Sequence, residues 1–204
     1  MAGSSLLLAT SNPGKRIELL AFLPFQVEVL TLADFSIELP PEEGDSFGEI
    51  ATRKATFAAQ FSGLLAIADD SGLEVDVLSG APGIRSARYA GEPSDDARNR
   101  RKLLSEMRDV PASSRTARFR CAVALARHDG LVEYRDGTCA GSIGFEEIGT
   151  NGFGYDSLFR LQSGLTMAQL TLEQKNQISH RADAYRKIAP MLTSWLEQVR
   201  EARS

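Results

Sequence analysis

Two adjacent aspartates, Asp69 and Asp70, follow an apolar run at residues 64–68 and precede Ser71 and Gly72. Carboxylates so placed can help hold a divalent cation, orient a water molecule or take a proton from it. The apolar run has the length of a buried strand. Acids just past the carboxyl end of such a strand lie where open α/β sheets bind ligands. Asp, Ser and Gly are also ordinary turn residues, so a strand ending in an acidic turn is the plain alternative. Neighbouring side chains in extended backbone point oppositely, so one aspartate of the pair would face the ligand.

A second chemistry-bearing stretch opens the chain. Residues 6–10 read as a strand, and Ser11, Asn12, Pro13, Gly14 and Lys15 as a turn into a helix. Ser11 or Asn12 can cap that helix, and Pro13 fits its first turn. A helix opening after a buried strand offers N–H groups and a positive dipole end to a phosphate, and Lys15 adds a full charge. It is not a Walker A loop: Ala9 takes the earlier glycine position and Arg16 follows the lysine. An ordinary capped helix with a solvated lysine is the alternative. Further on, Glu42 and Glu43 lie in an acidic loop, and Lys54 falls near the apolar stripe of the next helix. Loop carboxylates can supply oxygen ligands to Mg²⁺ alongside substrate phosphates. A lysine beside an apolar stripe can reach a phosphate or snorkel to solvent. Residues 141–156 are glycine-rich and end in Phe153, Gly154, Tyr155 and Asp156, where aromatic faces could stack on a base. Lys175, His180 and Arg181 follow late in the chain. His180 has no second histidine or cysteine at ligand spacing, which argues against zinc.

The elements that must position these groups alternate between strand and helix. The first helix runs to residue 23, with Ile17, Leu20 and Ala21 at helical spacing. Residues 27–30 read as a strand. A helix follows Ser46, with Glu49 completing a capping-box pattern and Phe47, Ile50 or Ala51, Ala58 and Phe61 facing inward. Ser94, Asp95 and Asp96 start another helix, whose Asn99, Arg100, Arg101 and Lys102 read as a solvated face. Residues 116–127 alternate as a half-buried strand, and Asp129 with Gly130 signals a hairpin to residues 131–139. Thr171 and Gln174 begin a further helix, and a long one closes the chain with Pro190 inside it. A length of 204 residues suits one domain, 1–204, of two lobes. The net charge of −4 gives no field to draw nucleic acid or an anionic membrane. Both cysteines, Cys121 and Cys139, lie in strand-like runs, and the opening apolar run is too short for a signal or a membrane span. The reading is a reduced cytoplasmic protein without nucleic-acid or membrane partners.

Several stretches together carry a resemblance. They are Thr10, Ser11, Asn12, Pro13, Gly14 and Lys15; Ala68, Asp69, Asp70, Ser71, Gly72 and Leu73; and Gly80, Ala81, Pro82, Gly83 and Ile84 with Ser86, Ala87, Arg88 and Tyr89. Gly152, Phe153, Gly154, Tyr155 and Asp156 continue the set, and Lys175 with Ser179, His180 and Arg181 ends it. In order, and over nearly the whole chain, these resemble the motifs of the inosine/xanthosine triphosphate pyrophosphatase family. One departure is Ile50, where the family pattern F-x-E-N-A has asparagine.

The resemblance implies an α/β fold: a long mixed sheet flanked by helices, in two lobes with an interlobe active-site cleft. It implies Mg²⁺ dependence, a homodimer, and hydrolysis of non-standard purine nucleoside triphosphates to the monophosphate and pyrophosphate. Asp70 would be the catalytic acid with Asp69 supporting it. Glu42, in preference to Glu43, would hold Mg²⁺ with Asp70. Lys15, Lys54 and Lys175 would clamp phosphates, with Thr10, Ser11, Asn12, Pro13, Gly14 and Ser71 assisting. Phe153, Gly154, Tyr155 and Asp156 would meet the purine, and His180 and Arg181 would donate to its 6-oxo group. Arg181 could instead cap the last helix, pairing with Asp183 or Glu173. The other readings are a Maf-like pyrophosphatase of different base preference and a non-catalytic nucleotide-binding module. An acid facing the phosphates argues against the module, and the residues from Phe153 to Asp156 with His180 and Arg181 argue against the Maf-like enzyme.

Overall fold

The computed structural model describes residues 5–23, 27–36 and 38–201. Its sheet has six strands: β1 (Ser5–Leu8), β2 (Glu28–Thr31), β3 (Leu65–Val75), β4 (Thr116–Ala126), β5 (Val132–Ile143) and β6 (Phe159–Arg160). Their order is β2-β1-β3-β4-β5-β6. β1 runs parallel to both β2 and β3, and β5 runs antiparallel to β6, so the sheet is mixed. Five helices accompany it: α1 (Pro13–Leu20), α2 (Phe47–Ser62), α3 (Asp96–Glu106), α4 (Leu172–Ile178) and α5 (His180–Glu201).

The chain divides into two compact units. One comprises residues 1–70, 121–137 and 181–204, the other residues 71–120 and 138–180. In the first, Leu6, Leu8, Ile67, Val123 and Leu125 pack with Tyr185, Ile188, Leu192 and Trp195 of α5. In the second, Leu73, Val75, Leu103, Phe119, Leu158 and Phe159 form the core. Each cluster joins alternate strand positions to a helix stripe, as the side-chain periods of two and 3.6 require.

Several expectations about local structure are corrected, among them the solvated face of α3, where Asn99 is buried and Arg100 is half-buried. β3 does not end at the aspartates but runs on through Ser71 and Gly72 to Val75. Ser and Gly are weak strand formers, yet a strand buried along most of its length has its ladder to hold it extended. α1 turns a different face inward. Ile17 and Leu20 are 56% and 41% exposed, whereas Glu18 and Leu19 are buried and Phe22 stacks on Tyr185. Lys15, Glu18, Leu19 and Phe22 have the i, i+3, i+4, i+7 spacing of a buried stripe. Charged residues occupy half of it, which hides it from an apolar count. Phe61, placed inward on α2, is 61% exposed and stacks on Phe57.

Helix starts follow their caps. Asn12 accepts from the Lys15 N–H and Thr171 from the Gln174 N–H, each satisfying an N-terminal donor. Ser46 caps α2 through the Glu49 N–H, but the Glu49 carboxylate takes the Asp45 N–H, so the box closes one residue early. At α3 the cap is Asp95, and Ser94 bonds the Ala87 carbonyl instead.

Candidate active site

The first unit gathers two charge clusters around the paired aspartates. Asp69 is fully buried. Its Oδ2 lies 3.2 Å from the Lys15 ammonium and accepts from Arg181 Nε at 3.1 Å. Arg181 reaches on to Glu18, whose side chain is buried with it. Burial alone would push the Asp69 carboxyl up; Lys15 and Arg181, with Lys54, outweigh it and hold it far below the usual carboxylate range. Asp69 is therefore a fixed anion that aligns a lysine and an arginine. Lys15, for which solvent was one expectation, has an 11% exposed side chain.

Asp70 has a different neighbourhood. Lys54 donates to Asp70 Oδ1 at 3.3 Å and to Glu42 Oε1 at 3.1 Å. Lys54 is 5% exposed, so it neither snorkels nor lies on a solvated face. Burial raises the Asp70 carboxyl; Lys15 and Lys54 pull it back only in part, and Glu42 and Asp69 add to the rise. Burial would lower the Lys54 ammonium, but Asp70, Asp69 and Glu42 more than restore it, so Lys54 stays charged. Glu42 and Asp70 thus converge on one cationic point. Glu43 turns to Arg53.

Around the start of α1 a groove of about 990 Å³ is lined by Thr10, Ser11, Asn12, Pro13, Arg16, Glu38 and Glu42, among others. Thr10 Oγ1 accepts from the Asn12 N–H at 3.2 Å, tightening the turn that presents the helix start. The donor set fits Mg²⁺, a hard cation that takes carboxylate oxygens and keeps sites open for phosphate and water. Among the described residues no group of three or more His, Cys, Asp or Glu converges as a closed metal cage. Two carboxylates completed by substrate phosphates match that pattern.

The second unit holds the remaining candidates. Asp156 Oδ2 accepts from Lys175 at 2.5 Å and from the Phe153 N–H at 3.0 Å. The Lys175 ammonium stands 5.0 Å over the Phe153 ring. Gly152 has φ +76°, and a Cβ there would come within 2.0 Å of Asp156 Oδ2, so only glycine lets the loop close on that carboxylate. Tyr155 is 4% exposed; its ring belongs to the core and its hydroxyl donates to the Ser86 carbonyl at 2.8 Å. That leaves Phe153, half-buried, as the aromatic face of this motif that reaches solvent. His180 is buried and stacks on Phe119 at 4.8 Å. Ser71, in β3, follows Asp70 directly. Asp183, one partner considered for Arg181, takes Lys187 at 2.7 Å.

Glu18 was missed by motif reading. Its signal was its place, three residues after Lys15 on the stripe that ends in Leu19 and Phe22. Cys121, a buried free thiol, was also missed; its sulfur lies 3.8 Å from Asp69 Oδ2, and burial first, then Asp69, raises it. Nothing but its strand position pointed there.

The capped start of α1, Lys15, the buried Lys54 and the two carboxylates that converge on it thus lie together in the first unit of an α/β protein. The chain belongs to the Ham1 family, whose sequence pattern matches residues 6–191. It is 48% identical to a dITP/XTP pyrophosphatase of Desulforamulus reducens over 92% of this chain and 94% of that one. A Haemophilus influenzae protein of the same name is 49% identical over 88% of this chain and 94% of its own. The structure of a HAM1 protein from Coxiella burnetii superposes with a TM-score of 0.85 at 36% identity, covering 94% of this chain and 99% of that one. A Mycobacterium abscessus structure titled nucleoside-triphosphatase / dITP/XTP pyrophosphatase gives 0.74 at 41% identity, covering 92% and 99%.

Proposed function

We propose that this chain hydrolyses non-standard purine nucleoside triphosphates, such as those of inosine, deoxyinosine and xanthosine, to the monophosphate and pyrophosphate. The observation that carries this is the convergence of Asp70 and Glu42 on Lys54, with Lys15 at a capped helix start in the same unit. In the first unit Lys15 and Lys54 hold phosphate oxygens, and the turn from Thr10 through Gly14 assists; Lys175 and Ser71 are assigned to the phosphates through the resemblance alone. Glu42 and Asp70 would hold Mg²⁺, which when bound adds positive charge against the phosphates. Asp70 orients a water toward the α-phosphorus and accepts its proton as the new P–O bond forms. The bond from that phosphorus to the bridging oxygen breaks, and pyrophosphate leaves. Asp69 supports the step by keeping Lys15 aligned.

The base falls to Phe153, which stacks on any purine, and to Gly154, Asp156, His180 and Arg181, assigned through the resemblance; the Tyr155 ring stays in the core. A 6-oxo group accepts from donors that a 6-amino group would leave unpaired. Arg181 also anchors Asp69 and Glu18, so Arg181→Ala should lower both stability and activity. Its role in base choice is read from the ratio of kcat/KM for inosine triphosphate to that for ATP. A fall in that ratio supports base reading, and an unchanged ratio leaves Arg181 as an anchor alone. The same resemblance supports a cytoplasmic homodimer, which sedimentation tests. No helix among the described residues is long and apolar enough to cross a membrane.

The direct test is a panel of purine and pyrimidine nucleoside triphosphates with Mg²⁺, scored for pyrophosphate release. Preferred release from the inosine and xanthosine compounds is expected. Preference for other bases, or binding without release, overturns the proposal.

A further inference from the structure

The loop that presents Phe153 is gripped by α3, a helix no motif assigned to the site. Asp96 Oδ2 accepts from the Gly154 N–H at 2.7 Å. Arg100 Nη1 donates to the Gly154 carbonyl at 2.8 Å. The two side chains are four apart on α3 and therefore share a face. Between them they engage both backbone groups of one residue, the one directly after Phe153. Gly154 is at φ +61°, in a left-handed turn that the Asp156 N–H closes by donating to the Phe153 carbonyl at 3.2 Å. The helix is itself anchored. Asn99 is buried, donating to the Ala87 carbonyl at 2.9 Å and accepting from the Ala90 N–H at 2.7 Å. Arg100 Nε also pairs with Glu147 at 2.7 Å. On the other side of Phe153, Asp156 takes its N–H and Lys175.

We propose that Asp96 and Arg100 are positioning residues for the purine: by fixing Gly154 they set where the Phe153 ring stands. This rests on the reading of Phe153 as the stacking face. The physical argument is one of orientation. A phenyl ring on a glycine-flanked turn has many directions open to it, and stacking needs one. Asp156 ties Phe153 through its N–H and, from its own N–H, through the Phe153 carbonyl at 3.2 Å, which closes the turn on itself. Two charge-assisted hydrogen bonds from α3, to the Gly154 N–H and carbonyl, fix where that closed turn stands. Neither side chain need touch the nucleotide, so both should act on KM more than on kcat.

The experiment is a double-mutant cycle on purified protein with inosine triphosphate and Mg²⁺. Phe153→Ala should raise KM by about tenfold, the order of a lost base–aromatic stack. Arg100→Ala should raise KM by roughly three- to tenfold with kcat within about twofold. In the Phe153→Ala background Arg100→Ala should raise KM no further, because its effect runs through the ring. Asp96→Asn, which keeps an acceptor for the Gly154 N–H, should retain more affinity than Asp96→Ala. Thermal unfolding of each variant separates these changes from loss of fold. If Phe153→Ala raises KM and Arg100→Ala does not, or raises it equally in both backgrounds, the positioning role is overturned while the stacking reading stands. If Phe153→Ala leaves KM unchanged, the stacking reading fails and the inference fails with it.

Discussion

Asp69 is enclosed with Lys15 and Arg181, whereas Asp70, the next residue of the same strand, shares one lysine with a second carboxylate. Strand geometry sends the two side chains to opposite faces. The same residue type then meets opposite electrostatics. Two cations outweigh burial at Asp69 and hold it ionised; at Asp70 burial and neighbouring acids prevail and raise its proton affinity. The difference separates two tasks. A carboxylate that cannot be protonated is an anchor, and one whose affinity is raised is suited to take a proton.

The largest effect should come from the acid assigned to chemistry. Asp70→Asn is near-isosteric and should cut turnover by about 100-fold or more at saturating nucleotide and Mg²⁺. Steady-state pyrophosphate release measures it, and a rate within a few-fold of the parent would merge the two aspartates into one structural role.

Asp69→Asn should act the other way round. It leaves Lys15, Arg181 and Glu18 buried with their charges unbalanced, a change that costs about 3 kcal/mol where a buried pair loses one partner. Chemical denaturation should show that loss, and activity should fall by less than in Asp70→Asn.

These contrasts bear on what the residues alone disclosed. The strand at residues 116–127, the hairpin at Asp129 and Gly130, and the capped starts at Asn12 and Thr171 were legible because each is a local pattern with a local cause; the half-buried alternation ends at Cys121, beyond which the strand is buried on both faces. The course of β3 was not, because Ser71 and Gly72 break a strand by preference and only the ladder beside them overrides it. Phe61 misled for a related reason: helical spacing places it, but what covers a face is a tertiary matter. At the site, the motifs named Lys15, Lys54, Asp69 and Asp70. The partition among them depends on Arg181 and Glu42 arriving from distant parts of the chain, and spacing does not reveal which aspartate each will meet.

A pH series sharpens the comparison further. A depressed folded-state pKa gives stability that is present above the unfolded value, about 3.9, and is lost as pH falls through the depressed one. Asp69 should therefore support the metal-free protein throughout the mildly acidic range. Asp70, with a raised pKa, costs stability while ionised and returns it as it is protonated. Denaturation of metal-free Asp69→Asn should lack the parent's acid-side loss below about pH 4.

Lys15→Ala should disturb the fold less than Asp69→Asn does. Asp69 retains Arg181, so a loss of about 1–2 kcal/mol is expected, more than a surface lysine would show. KM should rise and kcat fall, because charge on the phosphates grows in the transition state. A melting-temperature drop with unchanged kcat/KM would make the lysine purely structural.

The most direct test of the division between the two aspartates is the unfolding free energy of metal-free Asp69→Asn and Asp70→Asn, measured side by side at neutral pH. The account predicts a loss of about 3 kcal/mol for Asp69→Asn and a change within about 1 kcal/mol, of either sign, for Asp70→Asn, where Lys54 keeps Glu42. Equal losses in the two variants, or a larger loss in Asp70→Asn, would contradict it.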